Sequence, residues 1–173
     1  MRRVTVLLLA LSLSGCVSNA ASDIPLGKVV DCSSVNVDSS VTQGSFVQCL
    51  ANTDVIAFEA IRGPAIINFW GSWCASCIDE MPYLREFYAE NPEISLIGID
   101  VEEQNIEDGR GFVRTSGITW PNYFDYSSST RKFSGLGVPV TLFIDAQGKV
   151  LYTQMGAFRN KGEIEALAKR YLS

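Results

Sequence analysis

Ile67-Asn68-Phe69-Trp70-Gly71-Ser72-Trp73-Cys74-Ala75-Ser76-Cys77 is the stretch on which the reading of the chain turns. From Pro64 to Gly71 the sequence is a continuous apolar run, the pattern of a buried central strand. From Ala75 to Glu90 the apolar residues Ile78, Met81, Leu84, Phe87 and Tyr88 recur at helical spacing. A Cys-x-x-Cys pair therefore falls on a strand-to-helix junction. The first sulfur sits at a helix N-terminus, where unpaired backbone N–H groups and the helix dipole favour a thiolate. The second lies one turn further on and can attack a mixed disulfide from inside the protein. This makes Cys74 the nucleophile and Cys77 the resolving thiol.

Zinc sites share the Cys-x-x-Cys spacing, but structural zinc takes four Cys or His ligands. The chain has no histidine, so only Cys32 and Cys49 could complete a set. An oxidising compartment argues against four retained thiolates. An inert structural disulfide is the other alternative, and the small ring that this spacing closes is more often reactive. No metal and no cofactor are called for.

Working outward, Pro82 lies inside the helix and is expected to kink it. Ile94 to Val101 reads as a second buried strand, Gln104 to Ser116 as a helix, Asn122 to Asp125 as a short strand and Ser128 to Ser134 as a helix. Val140 to Asp145 and Lys149 to Met155 flank Ala146-Gln147-Gly148, a hairpin signal. Lys161 to Leu172 closes the chain as an amphipathic helix with Ile164, Leu167, Ala168, Tyr171 and Leu172 on its apolar face. There is no internal repeat. The order implies an α/β fold, a central mixed sheet with helices on both faces. Pro139, at the start of its strand, is compatible with either a cis or a trans peptide bond.

The chain has 173 residues, 47% of them hydrophobic and 19% charged, enough for one packed domain. The absence of histidine excludes a Ser-His-Asp triad and a Cys-His dyad. A net charge of −5 with no basic cluster gives no reason to expect nucleic-acid binding. Oligomer contacts are not called for, and a monomer is expected.

Residues 1–15 have the layout of an export signal: Met1-Arg2-Arg3, then an apolar run from Val4 to Leu13 that is too short to span about 30 Å of hydrocarbon. The run ends in Leu13-Ser14-Gly15-Cys16, which resembles the lipobox of bacterial lipoproteins and implies lipid attachment at Cys16. A plain cleaved signal ending at Ser18-Asn19-Ala20 is the alternative. Either places the domain outside the cytoplasm, where disulfides persist. Residues 16–44 read as a lipidated tether and N-terminal extension, and 45–173 as the folded domain. Cys32 and Cys49 are expected to form a structural disulfide, unless one of them exchanges with the Cys74–Cys77 pair.

Together INFWGSWCASC (Ile67 to Cys77), IDEMPYL (Ile78 to Leu84), GIDVEE (Gly98 to Glu103) and GVPVTLFIDAQGKV (Gly137 to Val150) resemble the thioredoxin superfamily, within it the TlpA/ResA-like branch of extracytoplasmic lipoproteins. The resemblance implies a cis Val138–Pro139 peptide facing the cysteine pair, with the backbone before Pro139 pairing with an extended substrate segment. It also implies that Trp73 shapes the docking surface, against the plainer reading of a core or rim aromatic. Thioredoxin has a buried aspartate where this chain has Asn68. In the ResA-like branch a glutamate one turn after the second cysteine takes a related place, and here that residue is Glu80. It would move a proton to or from Cys77, unless it is a solvated helix residue. Asp79 points to a different face.

The resemblance further implies a membrane-anchored protein-disulfide reductase. Its substrates would be exported proteins such as oxidised cytochrome c precursors, its electrons would come from a membrane-embedded thiol carrier, and it would meet the lipid membrane through Cys16. Ala75-Ser76 adds no charge to the site, which suits a reducing or intermediate potential. Three alternatives stand beside this reading: a disulfide oxidase or isomerase, a Cu(I) metallochaperone using the two thiolates, and a peroxidase of the peroxiredoxin group. Three methionines and no histidine weaken the second. The third lacks a threonine ahead of Cys74, where Gly71 and Ser72 stand.

Overall fold

A computed structural model describes residues 25–173. The leader and Cys16 lie outside the described residues. The elements run β1 (Phe46–Cys49), β2 (Val55–Ala57), β3 (Ala65–Trp70), α1 (Ala75–Glu90), β4 (Ser95–Val101), α2 (Ile106–Thr115), β5 (Asn122–Asp125), α3 (Arg131–Ser134), β6 (Val140–Ile144), β7 (Val150–Met155) and α4 (Lys161–Tyr171). They build one seven-stranded sheet in the order β2-β1-β5-β4-β3-β6-β7. β3, β4 and β5 are parallel, joined by the helical crossovers α1 and α2, while β1, β6 and β7 run antiparallel to their neighbours.

Strand alternation divides the core in two. Ile66, Trp70, Leu96, Phe124 and Phe143 face α1, α2 and α4, meeting Met81, Leu84, Phe87, Phe112 and Ile164. Ile67, Phe69, Ile97, Ile99, Tyr123 and Leu142 face the other way, toward Cys32, Val35, Phe58 and Phe133 of α3. All six residues of β3 are buried, as a central strand with both faces covered requires. That burial brings the end of β3, and with it the Cys74–Cys77 loop, to the middle of the sheet's edge.

One sequence expectation changes in the structure. The helix read over Ser128 to Ser134 is only the four residues of α3. The Asp125 carboxylate accepts from the Ser129 and Thr130 N–H groups and from both hydroxyls, which holds 129–130 as a turn. α1 runs through Pro82 as one element. The carbonyl that lacks a helical partner there belongs to Ile78, a residue with an exposed side chain. The described part of the 16–44 segment lies against the domain. Gly27 and Lys28 donate backbone bonds to Arg114 and Ile118, Val37 bridges to Ile61, and Cys32 and Val35 are buried.

Candidate active site

β3 delivers the chain into the sheet's edge, and Gly71-Ser72-Trp73 turns it into α1. A Cβ at Gly71 would stand 2.6 Å from the Trp73 indole nitrogen, so a side chain there would push the Trp73 ring from its place. Cys74 is the N-cap of α1, and its sulfur accepts the Cys77 N–H at 3.1 Å. An orphan donor of the helix end thus points at the sulfur, the contact that stabilises negative charge there. Cys74 and Cys77 are joined as a disulfide, and both are buried. The Ser76 hydroxyl and the Val138 carbonyl each lie 3.5 Å from the Cys74 sulfur. Val138–Pro139 is a cis peptide, at the start of β6. Trp73 is 53% exposed and flanks the pair on the solvent side. The site therefore brings together Trp73, Cys74, Cys77, Val138 and Pro139.

Glu80 is fully buried, on the same face of α1 as Cys77 and one turn below it. Its Oε1 accepts from the Asn68 side-chain amide at 2.9 Å, and its Oε2 accepts from the Phe158 backbone N–H at 3.0 Å. Burial pushes its carboxyl up to about 7, against the Phe158 and Asn68 donors, which favour the charged form. A carboxyl poised there can take or give a proton near neutral pH. Asn68 Nδ2 also donates to the Thr141 hydroxyl at 3.0 Å, tying Glu80 to the strand that follows Pro139. Asp79, its neighbour, is exposed.

Cys32 and Cys49 form a second disulfide. They belong to the core on the opposite sheet face from Cys74 and Cys77.

Four residues of the site carried no signal in the sequence. Thr141 and the Phe158 amide reach Glu80's surroundings only through the tertiary fold. Glu103, in the loop after β4, accepts the Ser72 N–H and fixes the active-site turn from outside. Asp100, register partner of Trp70, is fully buried with both carboxylate oxygens unpartnered. Burial first, then Glu103 and Asp108, holds its carboxyl well above the usual carboxylate range. Among the described residues, no group of three or more His, Cys, Asp or Glu side chains is placed to hold a metal ion. No described helix is long and apolar enough to cross a membrane.

The family described as AhpC/TSA matches residues 42–153. The thiol-disulfide oxidoreductase ResA of Bacillus thuringiensis (strain Al Hakam) is 31% identical over 119 residues, covering 66% of this chain and 68% of that protein. The sporulation thiol-disulfide oxidoreductase A of Bacillus subtilis is 25% identical over 99 residues, covering 53% and 58%. Among solved structures, MTB dsbF in mixed oxidised and reduced forms superposes with a TM-score of 0.64 at 22% identity, covering 73% of this chain and 93% of that one. StoA from Bacillus subtilis gives a TM-score of 0.58 at 20% identity, covering 70% and 92%. These structural likenesses speak for the thioredoxin-like fold.

Proposed function

We propose that this chain, which belongs to the AhpC/TSA family and is a thiol–disulfide oxidoreductase of thioredoxin-like fold, works outside the cytoplasm as a membrane-anchored reductant of disulfides in exported proteins. The observation that carries the reading is the Cys74 sulfur at the N-cap of α1, accepting the Cys77 N–H, with buried Glu80 one turn below. In the reduced enzyme the Cys74 thiolate attacks one sulfur of a substrate disulfide. A mixed disulfide forms and the other substrate sulfur leaves as a thiolate. Cys77 gives its proton to the Glu80 carboxylate and attacks the Cys74 sulfur. The Cys74–Cys77 disulfide forms as the second substrate sulfur departs, and the two substrate thiolates take up protons. Two electrons pass from the dithiol to the substrate, and a membrane thiol carrier returns two to the enzyme.

Support for the location is the Met1-Arg2-Arg3 start, the apolar run to Leu13 and the cysteine at position 16. Cytochrome c precursors are one substrate class consistent with such a reductant. Trp73, half exposed beside Cys74, and the Val138 carbonyl, 3.5 Å from its sulfur, offer a surface and a backbone acceptor for an extended substrate segment.

Two measurements test the reading. A reduction potential for Cys74–Cys77 near about −270 mV supports a reductant, and one near about −120 mV would make the protein an oxidant instead. In cells, Cys77→Ala should accumulate mixed disulfides with exported proteins while Cys74→Ala does not. Equal trapping by both variants would overturn the assignment of nucleophile and resolving thiol.

A further inference from the structure

The hydrogen bonds around Glu80 pose a problem of protons. Each of its carboxylate oxygens faces a donor, the Asn68 amide on one side and the Phe158 N–H on the other. That arrangement fits the anion. A carboxylic acid in the same place would carry a hydrogen of its own, and on the Oε1 side it would meet the Asn68 NH₂ donor to donor. A group that carries protons must be accommodated in both states.

Asn68 has the means. Its side chain is fully buried on β3 between β4 and β6, opposite Gly98 and Thr141. Both amide hydrogens are committed on one side, to Glu80 Oε1 at 2.9 Å and to Thr141 Oγ1 at 3.0 Å. Its carbonyl oxygen is buried with no partner. An amide is nearly symmetric in shape, with an acceptor on one arm and donors on the other. A half-turn about its last bond puts oxygen where nitrogen stood. The same two separations then suit O–H···O bonds. A protonated Glu80 donates to Oδ1, and the Thr141 hydroxyl, which can give or accept, swings to donate to it as well.

We propose that the Asn68 amide is a two-way partner that positions Glu80 in both of its protonation states, turning over as Glu80 gains or loses its proton, with Thr141 reversing from acceptor to donor. The inference rests on the proton-carrying role given to Glu80 above. It explains why an amide serves here better than a carboxylate. An aspartate at this position would present only acceptors to the ionised Glu80 and would add a second negative charge. The far side of the amide gives its oxygen no donor, so the Glu80 and Thr141 contacts must also outweigh the cost of moving the two amide hydrogens there in the turned state. Among the titratable groups packed around Glu80, α1 brings Cys77, which does not titrate as a disulfide. β3, β6 and the segment before α4 present Asn68, Thr141 and the Phe158 N–H.

The test uses the oxidised, isotope-labelled protein, in which Cys77 carries no proton. NMR follows the Glu80 carboxyl carbon and the Asn68 side-chain NH₂ across its titration. The expected result is a single midpoint for both signals. The NH₂ hydrogens should show cross-relaxation to the Thr141 side chain above the midpoint and lose it below. If Glu80 titrates while the NH₂ keeps its contact with Thr141 in acid, the turnover is wrong and the role of Glu80 survives. If Glu80 does not titrate anywhere in the folded range, both readings fall. A second variant adds a functional readout. Thr141→Val removes the hydroxyl that must reverse roles and should move the pH midpoint of thiol exchange, and Thr141→Ser, which keeps the hydroxyl, should restore it. An unmoved midpoint would count against the turnover.

Discussion

The two disulfides occupy opposite faces of one sheet, both buried and each with a sulfur 3.5 Å from a backbone carbonyl, and they differ in the helix end and the carboxyl beside them. Cys74 caps a sixteen-residue helix, receives a backbone N–H, and has a buried carboxyl one turn below its partner. Cys49 ends the short strand β1, and Cys32 lies in the segment laid across it, among Val35, Val47 and Tyr123. The polar contact of the Cys32 sulfur is the Asn122 carbonyl, which cannot stabilise a thiolate, and the residue before it is the acidic Asp31. One pair spans 3 residues and the other 17. The contrast teaches that a helix end and a proton acceptor, rather than the sulfurs themselves, separate a reactive pair from a structural staple.

The largest effect that tests this contrast is loss of the nucleophile. Cys74→Ser should lower disulfide exchange by at least about 10³-fold, since no other group in the site can replace the sulfur. The Cys32→Ala/Cys49→Ala double variant should keep exchange within about twofold of the parent. A matching collapse in the double variant, measured on protein that still unfolds cooperatively, would break the division of labour between the faces.

Stability should rank the pairs in reverse. Closing a loop of 17 residues constrains the unfolded chain by about 3 kcal/mol in the chain-entropy model, and a loop of 3 by about half that. Urea unfolding should therefore show the Cys32→Ala/Cys49→Ala variant losing more than the Cys74→Ala/Cys77→Ala variant. The opposite order would mean that the active-site disulfide also carries the fold.

How much of this was legible in the sequence follows from the range of each interaction. The run from Ile67 to Cys77 contained β3, the turn and the start of α1, because burial, helix spacing and capping are local. β1 and β2 were not read: strands of four and three residues are too short for their alternation to register. Glu80 could be placed beside Cys77 by resemblance, but its burial could not be seen. That burial depends on the Phe158 N–H, 78 residues away in sequence, and on the Asn68 amide from β3. Asp100 gave no signal for a related reason. A strand pattern marks the position as inward-facing, and only the packing of α2 shows that nothing pairs with it. A Cβ on Gly109 of α2 would come within 1.8 Å of Asp100 Oδ2, so the helix lies directly on the carboxylate.

That packing yields the next prediction. On helix propensity alone, Gly109→Ala should gain about 1 kcal/mol. The contact with Asp100 should instead make it destabilising, by about 1–3 kcal/mol as in other overpacked cores. Gly109→Ala placed in an Asp100→Ala background should recover the propensity gain. A stabilising Gly109→Ala single variant would show that α2 can lift away from the sheet freely, and would weaken the contrast between a rigid scaffold and a reactive edge.

The remaining effect concerns Glu80 and separates the two faces by their response to protons. Its carboxyl is raised from 4.5 in the unfolded chain to about 7 in the fold. Between those values the folded state binds more protons than the unfolded one. The contribution is fully present below about pH 4.5 and is lost as pH rises through about 7, at up to about 1.4 kcal/mol per pH unit. Asp31, Asp38 and Glu59 are shifted downward, so their contributions run the other way and are lost only as pH falls through the acid range. Asp100 is raised and adds to the Glu80 slope, so each needs its own variant. Urea midpoints of the oxidised protein, taken from pH 4.5 to 7.5, should flatten in Glu80→Gln and flatten differently in Asp100→Asn. Removing Cys32 and Cys49 should lower the whole curve and leave its slope intact, because no raised carboxyl lies in that core. A slope that vanishes with the staple instead would mean that the two faces share their protons after all.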